Sequence, residues 1–480
     1  MPLNFNSFLN VPQLIATYSR NLLLTSVNIL FPRKYRFLGS SPVTPSRAKS
    51  TKLLQYEPLK AVLLYLDPNL RFQLSQRIPL IWPVDKIVPL RIQTLRFQRT
   101  SCTVNETEYK LSVLKKYPNG LTVEKFYDFD KYGVPMNFGL NTVNLGDIDL
   151  RMDKEAQRCP ERWKLVLCEC YVEWKRKLAE LEAESWLDYS YRQINNGLNF
   201  VLERAKLKTT GDIQESITGQ NDYVEILRAL GKQCEPPFGL WLQLNIGENK
   251  HQVQYNIPLF ESMKRLTTTL LGHRRSIGQV ETLIIDNDDE ILRLPAGLKF
   301  SIREICFRNG NIDYDAVREI VNTETLVTVR LRSYKPKNVN FDKIILEAKE
   351  LYIEQLDMST ESWRQFLKNL TARKVHLDNC GSAEHQMYTD FIRTWMKEGR
   401  EVGTCCVLGI HRGEVEDVLR RLTVTERKNV IKRSMRSVSL SMKSGAKLIV
   451  ECKPKMESFY SDDWELIDHD WQITMKVVSR

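Results

Sequence analysis

The sequence predicts an α+β protein on three observations. Short apolar patches recur between residues 280 and 377, runs of β-branched and aromatic residues occur between 84 and 150, and helical apolar spacing marks the segments around them. The patches are Leu283-Ile284-Ile285, Ile305-Cys306-Phe307, Val329-Arg330-Leu331, Leu351-Tyr352-Ile353 and Val375-His376-Leu377, with starts 22, 24, 22 and 24 residues apart. Three residues before each start stands another apolar residue: Val280, Ile302, Leu326, Ala348 and Ala372. Each unit reads as a short strand showing alternate residues to one side, followed by roughly 15 residues that return the chain to the next strand.

Such a unit cannot bury its apolar face alone, and stacking supplies the core. The reading for the C-terminal half is therefore a leucine-rich-repeat-like α/β solenoid, with Leu283, Ile285, Ile305, Phe307, Val329, Leu331, Leu351, Ile353, Val375 and Leu377 as repeat-strand core residues. The usual repeat places Asn or Cys five residues after the second apolar position. That place holds Asp288, Gly310, Tyr334, Leu356 and Cys380, so only the last fits.

A chain of 480 residues suggests two to four folded units. The expected organisation is a disordered basic tail over 1–52, a helical segment over 53–83, a strand-rich domain over 84–152 and a helical region over 153–237. A hairpin plus the repeats follow over 238–403, and an α/β cap over 404–480. The formal charge is +11, but residues 1–56 carry seven basic residues and no acidic one, leaving 11 − 7 = +4 for the remainder. So small an excess argues for nothing about partners. Ten cysteines are scattered without metal-ligand spacing, which fits a reducing compartment, cytoplasmic or nuclear. The alternative is mitochondrial import through residues 1–50, which are rich in Ser, Asn and Leu, carry scattered Arg and lack acids. The apolar run Asn21–Phe31 is 11 residues long, against about 20 needed to cross a bilayer, so no membrane span is expected.

In the N-terminal segment, Leu59, Val62, Leu63 and Leu66 line one helical face after Pro58, and Asp67-Pro68 caps a second helix bearing Leu70 and Leu74. Trp82 lies between Pro79 and Pro83, a spacing that predicts no continuous third helix. The stretch Leu54–Arg77 resembles a degenerate F-box, and more closely the opening of a nematode-expanded family of F-box-like proteins. The likeness continues through Val88–Ile92, Val104–Tyr109, Leu145–Arg151, Tyr255–Arg275 and Leu292–Leu298. The resemblance implies docking on a Skp1-type adaptor of ubiquitin ligases through Pro58, Leu59, Val62, Leu63, Leu66, Leu70 and Leu74. The residues alone leave those side chains facing either the adaptor or the core.

Further along, Leu90–Phe97 and Thr103–Leu114 read as strands. Leu167, Tyr171, Trp174, Leu178 and Leu181 mark a long helix within 153–185. Residues 240–246 and 252–257 form a hairpin, and Leu259, Met263, Leu266 and Leu270 a helix. After Leu377, helices are expected over 387–397 and 413–422, a sixth strand over 405–408, a hairpin over 438–451 and a last strand over 471–478.

No P-loop, nucleophile elbow or zincin motif is present. Asp147 and Asp149 lack a third acidic ligand nearby, and Asp462-Asp463 and Asp468-His469-Asp470 lack a nucleophile, so no catalytic residue, metal or cofactor is expected. The basic cluster Arg420, Arg421, Arg427, Lys428, Lys432, Arg433 and Arg436 is expected to spread round a solvated helix and not to bind nucleic acid. The expectation is a non-enzymatic protein-interaction protein: a substrate-recognition adaptor of a Skp1-cullin-type ubiquitin ligase, by the resemblance, with an unknown target protein held by the repeats. The alternative is a non-ligase structural or interaction protein whose N-terminal helices only pack on the core.

Overall fold

The computed structural model describes residues 56–130, 133, 135–136, 143–151, 238–286, 291–308, 310, 312–335, 341–356, 360–379, 385–455 and 471–480. The expected basic tail, the helical region over 153–237 and the acidic pairs at 462–463 and 468–470 lie outside the described residues.

The fold is α+β. Three short helices open it: α1 (Tyr56–Tyr65), α2 (Pro68–Arg77) and α3 (Trp82–Ile87). Asp67 caps α2 as its sequence predicts, its carboxylate accepting from the backbone N–H of Asn69 and Leu70. The third helix corrects the expectation at Trp82. Pro83 falls in the first turn of α3, where its missing N–H costs nothing, so it starts a helix and does not break one.

Strands β1 (Arg91–Gln98), β2 (Ser101–Val104), β3 (Thr107–Lys116) and β4 (Thr122–Lys125) follow. The run Thr103–Leu114 is two strands, because Asn105 takes a positive φ of 55° and turns the chain. Its side-chain oxygen accepts from the N–H of Gln93 and Thr94, so this asparagine works as a turn residue. Then come β5 (Gly239–Ile246), β6 (Asn249–Gln254) and α4 (Leu259–Leu271). The apolar spacing in α4 is realised, with Leu259, Met263, Leu266 and Leu270 all buried.

The C-terminal half holds β7 (Gly278–Asp286), β8 (Phe300–Phe307), β9 (Thr328–Tyr334), β10 (Glu350–Leu356), β11 (Lys374–Asn379) and β12 (Cys405–Ile410). Between them the chain returns through a 3-10 turn at Tyr314–Glu319, α5 (Lys343–Leu346), α6 (Thr360–Asn369) and α7 (His385–Glu398). Helix α8 (Arg412–Thr425) leads to β13 (Val430–Arg433), β14 (Ser437–Ser441), β15 (Lys447–Pro454) and β16 (Trp471–Val478).

Strands β7, β8, β9, β10, β11 and β12 pair in parallel in that order. Their register reproduces the spacing of the patches: Leu283, Ile305, Val329, Leu351, Val375 and Cys406 are successive partners, as are Ile285, Phe307, Leu331, Ile353, Leu377 and Leu408. Because side chains alternate, both rows fall on one face, and all twelve residues are buried. The apolar residues three places earlier, Val280 through Ala372, are buried as well.

The ladder also extends beyond the expected repeats. β1 pairs in parallel with β7, Leu95 against Leu283 and Phe97 against Ile285, so a strand expected in a separate domain forms the first rung. From β1 the sheet continues antiparallel through β2, β3, β5 and β6, with β4 also on β3. At the other end β16 runs antiparallel to β12, followed by β15, β14 and β13. One sheet and one contiguous apolar core cross the boundary expected near residue 238.

At the fifth position of the expected motif, Tyr334 and Leu356 are buried. Tyr334 belongs to a run of rings: Phe307 to Tyr314 at 4.9 Å, Tyr314 to Tyr334 at 5.7 Å and Tyr334 to Phe366 at 5.7 Å between centroids. The Tyr314 hydroxyl donates to the Ser333 carbonyl, and the Tyr334 hydroxyl to Asp342. Neighbouring strands and their connecting segments are thus tied by aromatic edges and phenol hydrogen bonds.

Candidate functional site

The middle residue of each apolar patch points away from the core. Across the sheet these residues form a register row: Arg96, Ile284, Cys306, Arg330, Tyr352, His376 and Val407. The parallel strands therefore present a polar face opposite the buried one, and it is the candidate functional site.

Its centre is a stack. The Arg330 guanidinium lies 4.1 Å over the Tyr352 ring, and Tyr352 lies 5.8 Å from the His376 ring at an interplanar angle of 24°. Arg330 also pairs with Glu304. His376 Nε2 lies 2.6 Å from Asp378 Oδ1, and Lys455 pairs with the same oxygen at 3.3 Å. Burial pushes the Asp378 carboxyl up, but the hydrogen bond from His376 and the charge of Lys455 outweigh it and leave the group below the ordinary range. Glu354 is shifted the other way, raised by burial and then by the charge of Asp378. At the β1 end, Arg96 pairs with Asp286, which also accepts from Gln98.

Cys306 and His376 are the two groups on this face that nucleophilic or acid/base chemistry would call on. Burial, with the charge of Glu304 added, pushes the Cys306 thiol up to about 12, which removes the thiolate a nucleophile needs. His376 leans on the Asp378 carboxylate, and among the described residues no hydroxyl or thiol hydrogen-bonds to its ring. A guanidinium held by Glu304 and stacked on a tyrosine loses little freedom on contact with a partner.

The residues expected to dock an adaptor are divided by the structure. Leu63 is 1% exposed and forms a small core with Ile81, Val84 and Val88, against which Leu59 and Leu74 pack. Val62, Leu66 and Leu70 are half-buried, and Pro58 is exposed. A Leu63→Asp substitution therefore tests folding, not docking. The large apolar side chains on the surface of this unit are Tyr56, Tyr65, Leu80, Trp82 and Ile87, with Tyr65 at 81% and Leu80 at 67%. Sequence periodicity does not single out Tyr65, which lies off the apolar face of α1, or Leu80, which lies in the turn before α3.

The helical unit is fastened to the sheet by polar contacts as well. Asn69 donates to the Val104 carbonyl and accepts from the Tyr109 hydroxyl. Arg71 binds Asp85 and the carbonyls of Asp85, Val88 and Pro89.

The acidic residues weighed as cation ligands are already engaged. Asp147 pairs with Lys264 at 2.6 Å and Arg293 at 2.8 Å, and Asp149 with Arg151. Among the described residues no cluster of three or more metal-ligating side chains occurs, and no helix is long and apolar enough to cross a membrane. The five described cysteines are free thiols.

The basic cluster is corrected. Only Arg420 and Arg421 lie on helix α8, which ends at Thr425; Lys432 and Arg433 lie on β13 and Arg436 in the turn after it. The seven residues do not spread round one helix.

A family model described as a domain of unknown function, DUF3557, matches residues 258–412, about a third of the chain. The matched stretch runs from α4 through β12 and so contains the row Ile284 to Val407. No curated protein and no solved structure matches the chain.

Proposed function

We propose that this protein is a non-enzymatic interaction protein whose parallel strands stack as a leucine-rich-repeat-like solenoid and grip a partner protein on their polar face. The observation that carries the reading is the Arg330–Tyr352–His376 stack, a rigid cation and two rings on adjacent rungs. Arginine and aromatic side chains fixed in place are the groups that dominate protein interfaces. The equal register of the rungs and their short returns support the solenoid.

The resemblance of Leu54–Arg77 to a degenerate F-box supports a role as the substrate-recognition adaptor of a Skp1-cullin-type ubiquitin ligase. In that role α1–α3 bind the adaptor through exposed side chains such as Tyr65, Leu80 and Trp82, and the polar face holds the target. The second reading, an interaction protein outside any ligase, is favoured by the burial of Leu63 and the fastening of Arg71 to Asp85, which give these helices a structural task of their own. Titration of a purified Skp1-type adaptor into the full chain separates the two. Micromolar or tighter binding that weakens in a Leu80→Asp, Trp82→Ala variant supports the ligase role, and absence of binding leaves the second reading.

A further inference from the structure

We infer that strand β13 is a second docking surface, which takes an extended acidic peptide of a partner protein as an added strand. Among the described residues β13 pairs on one side only, with β14, and so closes this end of the sheet with a free row of backbone groups. The following turn is tight, with Ser434 N–H donating to the Ser437 carbonyl at 2.8 Å, and Arg436 lies 5.2 Å over the Trp471 ring.

Charge and exposure say what fits there. Residues 427–450 contain Arg427, Lys428, Lys432, Arg433, Arg436, Lys443 and Lys447 and no acidic residue. None of Arg427, Lys428, Lys432 and Arg433 forms an ion pair with a described residue. Residues 431–436 are all exposed, and they include Ile431 at 50% and Met435 at 92%. Edge strands are often protected by basic side chains, and the register shift between Val430 and Lys432 would serve the same end. Protection does not account for an isoleucine and a methionine left in solvent beside those charges. A peptide alternating acidic and apolar residues would set its carboxylates on the face of Lys432 or of Arg433, its apolar side chains on the other face, and would supply the missing backbone partners.

The test uses the full chain and a fluorescent peptide of about eight residues alternating Glu and Val, with binding read by anisotropy. The expected result is saturable binding that weakens about tenfold or more in a Lys432→Glu, Arg433→Glu variant, since both side chains are exposed and their reversal places like charges together. The same peptide methylated on alternate backbone nitrogens should also bind at least about tenfold more weakly, because it cannot pair as a strand. Absence of binding overturns the inference and leaves a protected edge. Equal binding of the methylated peptide, or of a single-stranded oligonucleotide of the same charge, also overturns it, since either shows a polyanion surface that does not read backbone.

Discussion

Asp85 and Arg274 lie 189 positions apart in the sequence, and Arg274 Nη2 donates to Asp85 Oδ2 at 3.0 Å in the interior. The other oxygen of Asp85 accepts from Arg71 Nε at 2.8 Å, so one carboxylate, 1% exposed, joins α2, α3 and the segment entering β7. Burial holds both guanidinium groups below their ordinary range while Asp85 pulls them back up. Asp85→Ala leaves two buried cations without their counter-charge. It should destabilise the protein by about 3–5 kcal/mol, measured by urea unfolding.

Lys86 adjoins this cluster and is 5% exposed. Burial, then the charges of Arg274 and Arg71, lower its ammonium to about 8 against the pull of Asp85. Between that value and the ordinary lysine range the unfolded chain carries a proton that the folded chain has lost, so this residue's contribution to stability rises with pH across that window. Lys86→Met should be the more stable form at about pH 7.5, and its advantage should shrink by about pH 9.5. Paired urea midpoints check it; an advantage independent of pH would contradict it.

Gly146 has a φ of +90°, and a Cβ there would come 2.4 Å from the backbone nitrogen of Ala296. The neighbouring Asp147 holds Lys264 and Arg293, so a shift at Gly146 disturbs that pairing. Gly146→Ala should cost about 1–3 kcal/mol or more from backbone strain alone. The same change at Gly120, where φ is +84° and nothing lies within 4 Å, should cost less.

Leu331 is 1% exposed, in register between Phe307 and Ile353, and its truncation leaves a cavity in the middle of the stack. Leu331→Ala should cost about 2–5 kcal/mol. Arg330→Ala, one residue away on the opposite face, should cost under about 1 kcal/mol because its ion pair with Glu304 is part-exposed.

Much of the ladder was legible because a period of two in side chains and near-equal intervals between patches leave little freedom of register. The candidate face was in the sequence too, as the residues between the apolar ones: Cys306, Arg330, Tyr352 and His376. Their meaning depended on which strands became neighbours. The place of β1 as the first rung was hidden, since its partner Leu283 lies 188 residues from Leu95 and no local pattern marks so distant a pairing. Asn105 lacked the glycine that usually signals a two-residue hairpin turn, so two strands read as one. The spacing of the basic cluster fits a helix, and nothing in it marks the end of α8 at Thr425.

The most direct test of the polar face compares proteins captured by the full chain with those captured by an Arg330→Ala, Tyr352→Ala variant, using quantitative mass spectrometry and matched unfolding curves. The face as partner surface predicts at least one protein whose capture falls roughly thirtyfold, as expected when about 2 kcal/mol of interface energy is removed, while the unfolding midpoint barely moves. An unchanged set of partners in a folded variant would contradict it.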